Sequence, residues 1–107
     1  MSICETLAIN LRFYRFKYQL SQEKFAEILG TTLSYLNQIE NNKVDDMKTS
    51  TIMKFVENIN KYDTEANLTY EDLVNYKEEK VIQFSRIDEK GLSWNEIISY
   101  SSFFFVN

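Results

Sequence analysis

Apolar residues fall along this chain in short helical periods separated by polar breaks. Leu7, Leu11, Tyr14 and Tyr18 recur at spacings of three and four, which predicts a first helix over Ile3 to Tyr18 with one apolar stripe. Leu20 closes the corner after it. Ser21 is a good N-cap, and Glu23 to Glu27 supply helix formers with acid in the first turn, so a second helix is predicted from Gln22 to Leu29. Gly30 stops it, because glycine enters the left-handed region without steric cost. Thr31 or Thr32 caps a third helix that ends near Glu40 and turns Leu36 and Ile39 inward. Asn41 to Lys48 reads as a polar loop. Ile52, Phe55, Val56 and Ile59 then give a fourth helix, Ser50 to Tyr62, suited to act as a lid over the first three.

A short fifth helix is expected over Tyr70 to Tyr76, where Thr69 and Asp72 have the spacing of a capping box and Leu73 and Val74 pack beneath. Val81, Ile82, Phe84 and Ile87 fit a helix stripe about as well as a twisted strand, and the helix is favoured. Gly91 ends that segment. Ser93 and Glu96 make another capping box, opening a last helix through Ile97, Ile98 and Tyr100. The expected fold class is therefore all-α, with a five-helix domain over residues 1–76 followed by a C-terminal helical hairpin over residues 77–107. Phe103, Phe104, Phe105 and Val106 carry more apolar surface than a free tail should expose, so burial against this domain or another subunit is expected.

Composition narrows the function. The 107 residues fit one domain, or one small domain with an oligomerising tail, and 44% hydrophobic content supports a real core. Two glycines and no proline agree with helices. There is no apolar run long enough to span a bilayer and no signal-peptide pattern, so a cytoplasmic location with no membrane contact is expected. Histidine is absent, which removes the commonest general base and metal ligand. Cys4 is the single cysteine, so neither an intrachain disulfide nor a cysteine metal cluster can form, and it reads as a small apolar residue on the first helix. Neither a cofactor nor a metal is expected. An enzyme is a distant reading, since there is also no Gly-rich phosphate loop and no nucleophile elbow. Asp45-Asp46 and Glu78-Glu79 are adjacent acids of the kind that are usually solvated.

The net charge of −4 argues against an unselective polyanion binder. Its distribution matters more than its sum. Residues 1–62 carry eight Lys and Arg against seven Asp and Glu, a balance of +1, whereas residues 63–107 carry four against nine, a balance of −5.

Where two helices cross steeply through a tight turn, the residue at the crossing must be small and the turn must tolerate an unusual dihedral angle. Ala26 and Gly30 fill those places, and Phe25, Leu29, Leu36 and Ile39 stand where both helices must be buried. This is a helix-turn-helix pattern. Through Leu20-Ser21-Gln22, Ala26, Gly30-Thr31-Thr32, Leu36 and Ile39-Glu40-Asn41 the chain resembles the Xre or Cro/repressor family of phage and bacterial regulators, from Leu11 to roughly Val74. The resemblance implies a lambda-repressor-like fold and binding to double-stranded DNA.

It also implies roles. Gln22 touches phosphate from the N-terminus of the second helix, where free amide groups favour an anion; the alternative is a good first-turn residue and no more. With Leu36 and Ile39 inward, a step of about 100° per residue points Ser34, Asn37 and Gln38 outward with Leu33 at the flank. These are the expected base readers, unless the face simply meets water. Gln38 can pair with adenine in two hydrogen bonds, Ser34 can give or take one, and Leu33 can pack on a thymine methyl. Thr32 meets phosphate or a base edge. Tyr35 shields the interface, touches a phosphate or packs on the fourth helix. Arg15 and Glu40 match the family's structural ion pair, and Asn41, Asn42 and Lys43 match its phosphate contacts. Two departures stand out: Asn42 replaces a usual glycine, and Asp45 and Asp46 replace basic or neutral residues.

Such domains usually pair to read two half-sites about 34 Å apart. The segment around Gly91-Leu92-Ser93, with Glu96-Ile97 and Tyr100, looks like the small helical oligomerisation module of SinR-type regulators and their antagonists. It implies a homodimer, a higher oligomer, or pairing with a small antagonist protein through Trp94, Ile97, Ile98, Phe103, Phe104 and Phe105; the alternative is packing within one chain. Two functions follow as expectations. The first is a sequence-specific transcription regulator, a repressor occupying a palindromic operator. The second is an antagonist or antitoxin-like partner that keeps the fold with weak or no DNA binding.

Overall fold

The computed structural model describes residues 2–75. They form five helices: α1 Ile3–Lys17, α2 Gln22–Leu29, α3 Leu33–Glu40, α4 Thr49–Tyr62 and α5 Tyr70–Val74. The described residues are thus all-α. The expected hairpin of residues 77–107, with Trp94, Ile97, Ile98, Phe103, Phe104 and Phe105, lies outside them, as does Tyr76.

Side-chain caps start the first three helices. Ser2, Ser21 and Thr32 each accept from a backbone N–H in the first turn, those of Glu5, Lys24 and Tyr35 at 3.1 Å. Of the two threonines considered for α3, Thr32 is therefore the cap. At the start of α5 the Asp72 carboxylate accepts from both the backbone N–H and the hydroxyl of Thr69.

The same three helices also end alike. Leu20, Thr31 and Lys43 donate their N–H groups back to the carbonyls of Arg15, Ala26 and Gln38. Gln19, Gly30 and Asn42 do likewise to Phe16, Glu27 and Ile39. These are three Schellman closures in succession, and each requires a left-handed residue. Their φ angles are +57° at Gln19, +77° at Gly30 and +59° at Asn42. Only one of the three is a glycine. Asn42, where a glycine is usual, does accept the left-handed conformation, helped by its short polar side chain. The Gln19 turn ends α1 at Lys17, one residue before the expected Tyr18.

One core unites the helices. Leu7, Leu11, Tyr14, Phe25, Leu29, Leu36, Ile39, Ile52, Phe55, Val56, Ile59 and Leu73 are buried together, with Leu20 and Tyr18 packed at its edge. α1 packs on α3 and α5, α4 on α2 and α5, and α2 on α3. The loop after α3 is less polar than its composition suggested: Val44 and Met47 lean on the core between exposed charges.

An α3 of eight residues is too short to be stable alone, since isolated helices need about 12 to 15 residues even with good formers. Burial of Leu36 and Ile39, about 1.5 to 3 kcal/mol each, is what holds it.

Candidate nucleic-acid interface

Burial divides α3 into two faces. Leu36, Ile39 and Glu40 are buried, whereas Leu33, Ser34, Asn37 and Gln38 are exposed, Leu33 at 46%. An exposed leucine flanked by a serine and two side-chain amides is a surface that can offer hydrogen-bond donors, acceptors and one apolar contact to a base-pair edge. Thr32 is exposed at the helix start, but its hydroxyl oxygen already accepts from the Tyr35 N–H.

The turn before α3 is held from two sides. Gly30 takes the left-handed conformation, and α4 supplies Asn58, whose Nδ2 donates to the Leu29 carbonyl at 2.7 Å. A Cβ on Gly30 would stand 3.1 Å from that same Nδ2. Ala26 is buried at the crossing. The glycine is thus required by an asparagine reaching in from a helix nearly thirty residues away as well as by the turn itself.

Arg15 and Glu40 form a bidentate ion pair, Nε to Oε2 at 3.0 Å and Nη2 to Oε1 at 2.9 Å. The side chains are only 11% and 4% exposed, so the pair is largely removed from water. Arg15 Nη1 also reaches the Leu20 carbonyl at 3.4 Å, tying the corner between α1 and α2 into the same group. Gln22 joins them: its Nε2 donates to Glu40 Oε1 at 3.2 Å, and its Oε1 accepts from Asn37 Nδ2 at 3.3 Å. A continuous hydrogen-bonded line therefore runs from α1, through the end of α3 and the start of α2, to the outer face of α3.

Around this line the remaining candidates separate. Tyr35 is half-buried and leans on the core. Asn41 turns its Nδ2 back onto the Asn37 carbonyl at 2.8 Å. Asn42 and Lys43 are exposed just past the helix, and Asp45 and Asp46 are exposed beside them. The two aspartates also reach electrostatically to the start of α1: burial first, then Asp46 and Asp45, push the Cys4 thiol pKa up. Cys4 is buried, in keeping with a small apolar role.

Sequence reasoning missed three asparagines that brace this frame. Besides Asn58, the buried Asn10 donates to the carbonyls of Leu73 and Asn75 at 2.8 and 3.3 Å. Asn60 exchanges two hydrogen bonds with the backbone of Leu68. Among the described residues every fully buried side-chain nitrogen and oxygen has a partner. No helix there is long and apolar enough to cross a membrane.

Comparison with known proteins agrees with this geometry. A family model described as a helix-turn-helix domain matches residues 8–80, more than half of the chain. No curated protein and no solved structure matches it. With two short helices crossing at Ala26 and Gly30, and a polar face turned outward on the second, the chain belongs to the helix-turn-helix domain family, whose members bind DNA.

Proposed function

We propose that this protein is a sequence-specific DNA-binding transcription regulator of the Xre or Cro/repressor type, a repressor that occupies a palindromic operator as a dimer. The observation that carries the reading is the two-faced α3: Leu36 and Ile39 are buried in the core, and Leu33, Ser34, Asn37 and Gln38 are exposed on the other side. In this reading α3 enters the major groove and those four residues, with Thr32, contact base edges. Gln22, Tyr35, Asn41, Asn42 and Lys43 border the groove and meet phosphate. Residues 1–76 are the DNA-binding domain, and residues 77–107 join two subunits through Trp94, Ile97, Ile98 and the Phe103 to Phe105 run.

Selection of bound fragments from genomic DNA, followed by affinity measured against salt, tests this. A palindromic motif is expected. Lys43→Ala should weaken all sequences alike and reduce the magnitude of the salt slope by about one, as the loss of a single phosphate contact does. Recovery of no enriched sequence sinks the regulator. Light scattering at tens of micromolar checks the dimer, which a monomeric mass would rule out.

A second reading draws on the exposed Asp45 and Asp46 beside Lys43. Like charge near phosphate weakens binding, which suits a protein-binding antagonist or antitoxin-like partner that has kept the fold. It predicts DNA binding no tighter than the non-specific level, without preference among sequences and falling with salt, together with mixed oligomers formed with another hairpin-bearing chain.

A further inference from the structure

The line of hydrogen bonds from Arg15 to Asn37 has a direction that chemistry dictates. A guanidinium only donates and an ionised carboxylate only accepts. Glu40, paired with Arg15 through both oxygens, can therefore face Gln22 only if Gln22 presents its NH2 group. That leaves the Gln22 carbonyl oxygen toward α3, and Asn37 must turn its own NH2 group to meet it. An exposed side-chain amide ordinarily rotates by half a turn at little cost and offers donor and acceptor either way round. Here one of the two orientations breaks the line.

We propose that Asn37 is a specificity-determining residue that reads adenine, and that Gln22 is the positioning residue that sets which way its amide faces. With one N–H engaged by Gln22, Asn37 retains its Oδ1 and a second N–H for the groove. Adenine alone presents a donor and an acceptor, N6–H and N7, on one major-groove edge; guanine offers two acceptors, and thymine an acceptor and a methyl group. Asn41 takes the Asn37 backbone carbonyl and leaves this side chain untouched. Gln22 thus acts on base choice through Asn37, in addition to any contact with phosphate. The buried Arg15–Glu40 pair becomes the reference that the surface amide is aligned against.

The assignment rests on the DNA-reading function proposed above. Its test is selection from randomised duplexes with the full-length wild type, Asn37→Ala and Gln22→Met, the last keeping length without hydrogen bonds. One adenine column in each half-site should flatten in Asn37→Ala while its neighbours persist. In Gln22→Met the freed amide can turn either way, so the same column should weaken and admit other bases. Replacing that adenine by 7-deazaadenine, which lacks the N7 acceptor, should cost the wild type about tenfold in affinity. It should cost Asn37→Ala nothing further. Unchanged columns in Asn37→Ala overturn the base assignment. An even loss over all sequences in Gln22→Met, with the adenine column intact, overturns the positioning role. A wild type that enriches no sequence at all removes the DNA-reading function itself, and this assignment with it.

Discussion

The last turns of α1 serve two corners built on different physics. On one side Arg15 enters a polar corner with Glu40, Gln22 and Asn37, where directed hydrogen bonds link one side chain to the next and the line ends on the exposed face of α3. On the other, Tyr14 and Tyr18 enter an aromatic corner. Tyr18 stacks on Tyr14 with centroids 6.3 Å apart, meets Tyr62 edge-on at 5.3 Å, and donates its hydroxyl to Asp63 at 2.7 Å. That corner closes the end of α4 against α1. The polar corner transmits an orientation; the aromatic one supplies area and tolerates reorientation. Damage to the first should change both stability and what the surface reads, whereas damage to the second should change stability alone.

Arg15→Met is the strongest way to break the polar corner. Stranding a carboxylate that is 4% exposed costs about 3 to 5 kcal/mol in a fully buried site, and the Gln22 hydrogen bond brings this case to the lower part of that range. Urea unfolding should show it as a lower midpoint at unchanged slope. Pairing the change with Glu40→Leu should recover most of the stability, because no charge remains buried. It should not recover base preference, since the group that oriented Gln22 is gone. Recovery of both would mean that the polar corner is only a brace, and the contrast with the aromatic corner would collapse.

Much of this architecture was legible in the sequence where the interaction is local. Ser21, Thr32 and Gly30 act within one turn of where they stand, so spacing alone reveals caps and stops. The inward and outward faces of α3 follow from periodicity in the same way. What stayed hidden depends on distant backbone. Asn10 and Leu73 are 63 residues apart, and Asn58 and Leu29 are 29 apart. Nothing near an asparagine marks it as aimed at a remote carbonyl. The left-handed Gln19 escaped notice because glutamine is an unusual choice for that conformation. Val44 and Met47 were lost in the average polarity of their loop. The polarity of Asn37 needed three residues from three helices to be in place before it had a meaning.

Gly30→Ala tests the turn shared by both corners' partners, since α2 leads to the polar corner and α4 to the aromatic one. The left-handed conformation costs an alanine about 1 to 2 kcal/mol. Its Cβ, 3.1 Å from Asn58 Nδ2, also presses on the hydrogen bond to Leu29. Asn58→Ala in the same background should add less than it does alone, because the two effects share that contact. Full additivity in a double-mutant cycle would mean that the strain lies in the backbone only.

The smallest effect expected is that of Tyr18→Phe, which keeps the ring and removes one hydroxyl. Losing the hydrogen bond to Asp63 at this half-buried site should cost about 1 kcal/mol near neutral pH, with base preference unchanged. Its signature is in alkali. Burial first, then the hydrogen bond and negative charge of Asp63, raise the Tyr18 pKa above its ordinary value, and burial followed by the charge of Asp72 raises that of Tyr14. Above about pH 10 the unfolded chain loses these protons while the folded chain keeps them. The contribution is therefore complete below that pH and is lost as pH rises through and beyond it. Tyr18→Phe removes one of the two groups, so unfolding midpoints followed from about pH 8 to pH 11 should fall less steeply than in the wild type. An unchanged alkaline slope would mean that the Tyr18 hydroxyl titrates alike in both states. The aromatic corner would then owe its hold to ring packing alone, making its difference from the polar corner sharper still.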